Sequence, residues 1–326
     1  MTRGLPTLGV TLGLWQDRPS VESVLVAEHA DRFGYDSVWV GEMATYDAFA
    51  LAAAVAHRTS RVPLVVGPLA VAVRDPMMIA MGASSVAELT GRHVDVAIGT
   101  SSELVVEAWH GRSRQRSATA LRESAAALRP LLDGQKSAHP GQVTGSVGYR
   151  LRAAPPRSRL AIAAFGPRAI AVAAAHADVM VLNLVDPATV SDLVGTLEAE
   201  CARLGRERPR VALWVSAAGA GDDAALEQLR TGLVGYLGAA GYSDMFERAG
   251  FGEVVELARA DAHPRELLAA IPDALIDGIA LLGDAAPERA AAYRAAGVDD
   301  LIVVPACTDA DPAAERLLGA LAGSLR

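Results

Sequence analysis

Short apolar runs alternate with amphipathic helical stretches along almost the whole chain, and this alternation limits the possible folds most. Thr7 to Leu14 reads as a strand, followed by a helical pattern from Val21 to Phe33 that Gly34 stops. Asp36 to Val40, Val62 to Gly67 and Val94 to Ile98 are further strands, each followed by a helix: Asp47 to Arg58, Met77 to Leu89 and Ser117 to Leu132. The rhythm resumes with strand Leu160 to Ala164 and helix Pro167 to Ala175, then strand Asp178 to Leu182 and helix Ala188 to Leu204. Strand Val211 to Ser216 and helix Ala224 to Ala240 come next, and strand Leu301 to Pro305 and helix Pro312 to Leu325 close the series. The strands are continuous apolar runs, as parallel strands covered on both faces should be. Eight such units in 326 residues predict a single (β/α)8 TIM barrel spanning 1–326. An open doubly wound sheet with a C-terminal helical domain is the competing arrangement. Two stretches break the rhythm, near 134–156 and 241–283, and read as insertions. The first, rich in Gly and Pro with β-prone pieces at Gln142 to Thr144 and Tyr149 to Leu151, predicts a hairpin.

Charge and cysteine usage narrow the function classes. The formal net charge is -8, with no Lys/Arg block, which argues against a nucleic-acid surface. The two cysteines, Cys201 and Cys307, form no CxxC or Cys/His spacing, which suits a cytoplasmic protein. The run Leu8 to Trp15 is too broken by glycine for a signal peptide, and the longest apolar region, Ala169 to Val185, is interrupted by His176, Asp178 and Asn183. No membrane association is expected.

Ligands of α/β folds sit at the carboxyl ends of the strands, so the loops there carry the candidates. After the fourth strand comes Gly99-Thr100-Ser101-Ser102, small hydroxyl residues, then Trp109-His110. Ala164-Phe165-Gly166-Pro167-Arg168 places free helix N–H groups beside a positive charge, a fitting cradle for phosphate, although a plain capped helix has the same form. Gly67-Pro68 ends the third strand, where a cis bond is accessible to proline. Gly219-Ala220-Gly221-Asp222-Asp223-Ala224 matches a dinucleotide fingerprint, but Asp222 and Asp223 would stand where a pyrophosphate must bind, so they read as capping residues. The histidines are scattered without metal-ligand spacing, and no metal is expected.

Several segments together resemble the bacterial luciferase-like flavin and deazaflavin oxidoreductases, particularly the actinobacterial coenzyme F420-dependent group. They are Phe33 to Val40, Arg74-Asp75-Pro76 with Ala87 to Arg92, Gly99 to Ser102 with Trp109 to Arg112, Ala164 to Arg168 with Ala177-Asp178, and Gly283 with Ala295 to Val298. The resemblance implies a tricyclic cofactor at the carboxyl ends of the strands and a cis peptide supporting its ring, here at Gly67-Pro68. It implies cofactor contacts at Glu42 and Met43, at Thr100, Ser101 and Ser102, at Ala164, Phe165 and Gly166 for the phosphate, and at Asn183.

Two departures stand out. Some deazaflavin members carry an Asp-His pair where this chain has Glu42-Met43, which leaves Glu42 and His110 as the acid/base candidates. Phe165 replaces a smaller residue at the phosphate turn. The expected function is hydride transfer between coenzyme F420 and a small organic substrate. An FMN-dependent monooxygenase with a flavin reductase partner and a cofactor-binding carrier without turnover are the alternatives. Family analogy implies a homodimer.

Overall fold

The computed structural model of the protein describes residues 6–12, 18–19, 21–42 and 46–325. Eleven strands are found among them: β1 Thr7–Thr11, β2 Ser37–Val40, β3 Leu64–Ala70, β4 Val94–Gly99, β5 Ala138–His139, β6 Ser146–Val147, β7 Leu160–Ala163, β8 Val179–Asn183, β9 Arg210–Ala218, β10 Ala280–Leu282 and β11 Asp300–Pro305. Eight of them pair in the order β1-β2-β3-β4-β7-β8-β9-β11 and return to β1, all parallel. The closing contacts are β8 on β9, with Val181 opposite Ala212, and β11 on β1, with Val303 opposite Val10. This is the (β/α)8 barrel expected from the alternation.

Local chemistry sets the helix boundaries. Helices Ala48–Arg58, Pro76–Thr90 and Pro187–Leu204 each begin after an aspartate, Asp47, Asp75 or Asp186, whose carboxylate accepts a first-turn N–H. Helices Glu22–Phe33, Pro76–Thr90 and Pro187–Leu204 end at left-handed Gly34, Gly91 and Gly205. No helix among the described residues is long and apolar enough to cross a membrane.

Strand alternation divides the core in two. Leu8, Val10, Val38, Leu64, Val66, Val96, Ile98, Leu213, Val215 and Val303 point outward into the layer shared with the helices. Trp39, Val65, Ala97, Ala161, Val179, Val181, Ala212 and Ile302 fill the barrel itself, with Ala163 and Trp214 packed against them. Trp39 and Trp214 meet edge to face at 6.0 Å between ring centres. Charges close the amino-terminal end: Asp95 accepts from the Arg159 guanidinium at 2.8 Å, and Asp299 from Arg208 at 3.0 Å.

The first insertion contains the expected hairpin, but different residues form it. Ala138 and His139 pair with Val147 and Ser146, whereas Gln142 to Thr144 lie in the turn between them and Tyr149 to Leu151 are not strand. The reason is Glu123. Its carboxylate, buried in helix Ser117–Leu132, accepts the N–H groups of Gln142, Val143 and Thr144 at 2.9, 2.8 and 3.2 Å, which a strand would have used in its ladder. The second insertion holds four short helices between Tyr242 and Ile279, then β10. This unexpected ninth strand lies parallel to the end of β9, Ala280 opposite Ser216. Three apolar residues after a helix carry too little periodic signal to reveal it.

Burial pushes the Glu123 carboxyl upward, but the three N–H donors and Arg122 outweigh it and hold it below the usual 4.5. A depressed value means that its stabilisation is complete above about pH 4.5 and is lost as pH falls through the folded value. Glu123→Gln should lower stability by about 2 kcal/mol at pH 7, because a neutral amide oxygen accepts the three N–H groups more weakly than the carboxylate oxygen on which they converge. Urea unfolding at pH 7 and pH 3.5 checks this: the difference between wild type and variant should shrink at the lower pH.

Candidate functional site at the mouth of the barrel

Residues with little or no side chain line one arc of the carboxyl-terminal mouth. The β3–β4 register shifts between Val66 and Leu69, so Gly67 and Pro68 form a bulge, and the bond joining them is cis. Gly67 has φ +121°, and a Cβ there would stand 2.1 Å from the Ala97 carbonyl oxygen, so only glycine fits. A Cβ on Gly99 would lie 3.2 Å from that of Ala163 and 3.5 Å from that of Pro68. The ends of β3, β4 and β7 therefore meet in a seat of small residues, with Trp39 and Trp214 in the barrel interior.

Loops rim this seat. Thr100 to Ser102 leave β4 with Ser101 in the left-handed region at φ +57°, and Ser102 Oγ accepts the Val105 N–H at 3.3 Å as the π-helical turn Leu104–Trp109 begins. Trp109 and His110 at its end are exposed. Ala164 is buried and gives its N–H to Val181. Gly166 then begins helix Pro167–His176 without a side-chain cap, so the first-turn N–H groups stay open beside exposed Arg168.

Three aromatic rings continue the rim across the second insertion. Phe165 packs on Tyr242 and Tyr242 on Tyr236, each at 4.8 Å between centres. Asn183 Nδ2 donates to the Tyr242 hydroxyl at 3.3 Å. Burial raises both tyrosine phenols, against a smaller opposite effect of Asn183, so both keep their protons at neutral pH.

Glu42 is not a free carboxylate. It accepts from Arg74 Nε at 2.7 Å and again from the same guanidinium, and the Ala48 N–H reaches it at 3.3 Å. Arg74 also bonds Asp47 and stands over the Phe49 ring at 5.4 Å, and the two carboxylates hold its guanidinium charged. Met43 lies outside the described residues.

The structure thus brings Gly67, Pro68 and the strand ends beside Thr100 and Ala164 together, and puts Asn183 at the end of the next strand, β8, against Tyr242, which also touches Phe165. A partly open pocket runs from Asn183 across the ends of β9, β11 and β1, and among the described residues Asn183 alone of the expected site residues lines it. Neither Glu42 nor His110 does. Thr11, Trp214, Ser216, Gln228 and Tyr236 line it as well. Alternate positions of a strand share a face, and Ala212, Trp214 and Ser216 are such positions at the carboxyl end of β9, a signal available in the sequence. Tyr236 comes from the helix before the second insertion, where no sequence pattern points to it.

Comparison with known proteins bears on the family and the fold. The family model for luciferase-like monooxygenases matches residues 16–300. A Mycobacterium tuberculosis protein named as a coenzyme F420-dependent oxidoreductase is 27% identical over 330 residues, covering 91% of this chain and 94% of the relative. The coenzyme F420-dependent tetrahydromethanopterin reductase of Methanopyrus kandleri superposes with a TM-score of 0.83 at 17% identity, over 99% of both chains. An F420-dependent secondary alcohol dehydrogenase in complex with an F420-acetone adduct does so with 0.80 at 17%, again over 99% of both. At such identities the two structures speak for the fold alone.

The Gly67 contact gives a direct check on the seat. Gly67→Ala must move the Ala97 carbonyl or leave its backbone region, at a cost of about 3 kcal/mol. Urea unfolding should show the lower midpoint with an unchanged slope.

Proposed function

The chain belongs to the luciferase-like monooxygenase family, and from that membership we propose that it transfers a hydride between coenzyme F420 and a small organic substrate. The observation that carries this is the cis bulge at Gly67-Pro68 with Gly99 and Ala163 beside it, strand ends almost without side chains, which would take one face of a planar tricyclic ring. The open helix N-terminus at Gly166 fits its phosphate, with Arg168 adding charge. The name of the M. tuberculosis relative favours the deazaflavin. When bound, that cofactor supplies or accepts the hydride.

The residues of the chain orient and enclose. Gly67-Pro68 and Gly99 support one ring face and leave the other toward the cavity. Thr100 to Ser102 offer hydroxyls and backbone groups to the ring edge. Glu42, held by Arg74 and by the Ala48 N–H, anchors the end of β2 in this reading and leaves proton transfer to other groups. His110 is exposed on the rim, so its role there is contact rather than chemistry. Tyr236 faces the cavity with its proton retained and is the group placed to share it with a substrate oxygen.

Spectral titration of the purified chain with oxidised F420, and in parallel with FMN, tests the proposal. F420 should bind more tightly than FMN. Ser101→Asp should weaken F420 binding at least about 10-fold, because it adds a negative charge at the ring edge. Aspartate tolerates the left-handed backbone, so the melting temperature should hold. Preference for FMN would point to the monooxygenase chemistry, and binding of neither would contradict cofactor chemistry at this mouth.

A further inference from the structure

The pocket that Asn183 lines has a chemical character of its own. It lies where β1, β8, β9 and β11 end, and helix Asp223–Leu237 closes it. Among the described residues its wall carries no Asp, Glu, Lys, Arg or His. Most of its polar groups are already committed. Gln228 uses both ends of its amide on the Cys307 backbone, at 2.9 and 2.8 Å. Thr11 Oγ1 donates to the Trp39 carbonyl, and Asn183 donates to Tyr242. Three donors remain: the Ser216 hydroxyl, which has no hydrogen-bond partner among the described residues, the O–H of Tyr236, whose oxygen is hydrogen-bonded to the Asn183 side chain, and the indole N–H of Trp214, buried without a partner among the described residues. Leu12, Leu184, Trp214 and Leu229 supply apolar wall.

Gly232 is the telling residue. It lies in the interior of helix Asp223–Leu237, where glycine is disfavoured. Packing does not demand it, because a Cβ at 232 would meet no heavy atom within 4 Å. Its missing side chain leaves volume on the cavity side of the helix.

We propose that this cavity is the substrate seat, that it takes an uncharged, mainly apolar molecule whose single carbonyl or hydroxyl oxygen meets Ser216 and Tyr236, and that Gly232 sets its size limit. The inference rests on the hydride-transfer reading of the same mouth and adds the class of substrate. An ionised group would lose its water here without gaining a counter-charge, and that excludes carboxylates and phosphates from this pocket. A neutral oxygen gains two hydrogen bonds, and the hydrocarbon around it gains the apolar wall.

Saturation-transfer NMR on the cofactor-free full chain tests this, with cyclohexanone and 4-oxocyclohexanecarboxylate as probes. Cyclohexanone should bind, and the carboxylate at least about 10-fold more weakly. In Gly232→Phe the cyclohexanone signal should fall at least about 5-fold while the melting temperature stays level or rises, since a side chain replaces helical glycine. Gly232→Leu provides the same comparison with a smaller group if the phenylalanine variant does not fold. Equal binding of the carboxylate, no binding of cyclohexanone, or an undiminished signal in the folded Gly232 variants would overturn the assignment. F420 titration of the same samples separates the two readings. A chain that binds cyclohexanone at this wall but no F420 would overturn hydride transfer alone, and F420 binding without the cyclohexanone pattern would overturn this inference alone.

Discussion

Eight parallel strands close into a ring only if the side chains they turn inward fill the space, and here the two largest of these are tryptophans. Trp39 from β2 and Trp214 from β9 meet edge to face inside the barrel, and the remaining interior positions are held by valine, isoleucine and alanine. With the interior packed, what lies above it can be open. Gly67, Gly99 and Ala163 leave one arc of the mouth almost bare, and Thr11, Asn183 and Ser216 put short polar groups on the other. The seat and the cavity are consequences of where the large inward side chains stop.

The two ends of the barrel divide labour in electrostatic terms. The amino-terminal end pairs its charges, with Asp95 on Arg159 and Asp299 on Arg208, and so contributes to stability and closure. At the mouth the charges stay on the rim: Glu42, Arg74 and Asp47 bind one another, and Arg168 stands exposed at a helix start. The cavity wall between them is neutral among the described residues. A neutral interior beneath a charged rim suits a ligand with an anionic handle at the surface and an uncharged reacting end inside.

The strands and most helices are legible in the sequence because their signals are local. Apolar runs such as Val94 to Ile98 can only be buried strand or helix, and Asp-Pro and terminal glycine punctuate the helices between them. The cis bulge at Gly67-Pro68 and the bare loops after β4 and β7 are legible only through the likeness to a family, since proline and small residues are common at strand ends. What is hidden is long-range. Arg74 reaches Glu42 across 32 positions and changes the carboxylate from a candidate base into an anchor. Glu123 folds the turn at Gln142 to Thr144 from a neighbouring helix, against the β preference of those residues. Tyr236 and Gly232 join the cavity through a helix whose position over the barrel no periodicity encodes.

A crystal structure of the chain soaked with oxidised F420 tests the central claim most directly. The tricyclic ring should lie with one face on Gly67-Pro68 and Gly99, its phosphate at the Gly166 N-terminus, and its other face toward Trp214 and Ser216. A ring bound elsewhere on the molecule, or seated in the cavity with the Gly67-Pro68 face left bare, would contradict it.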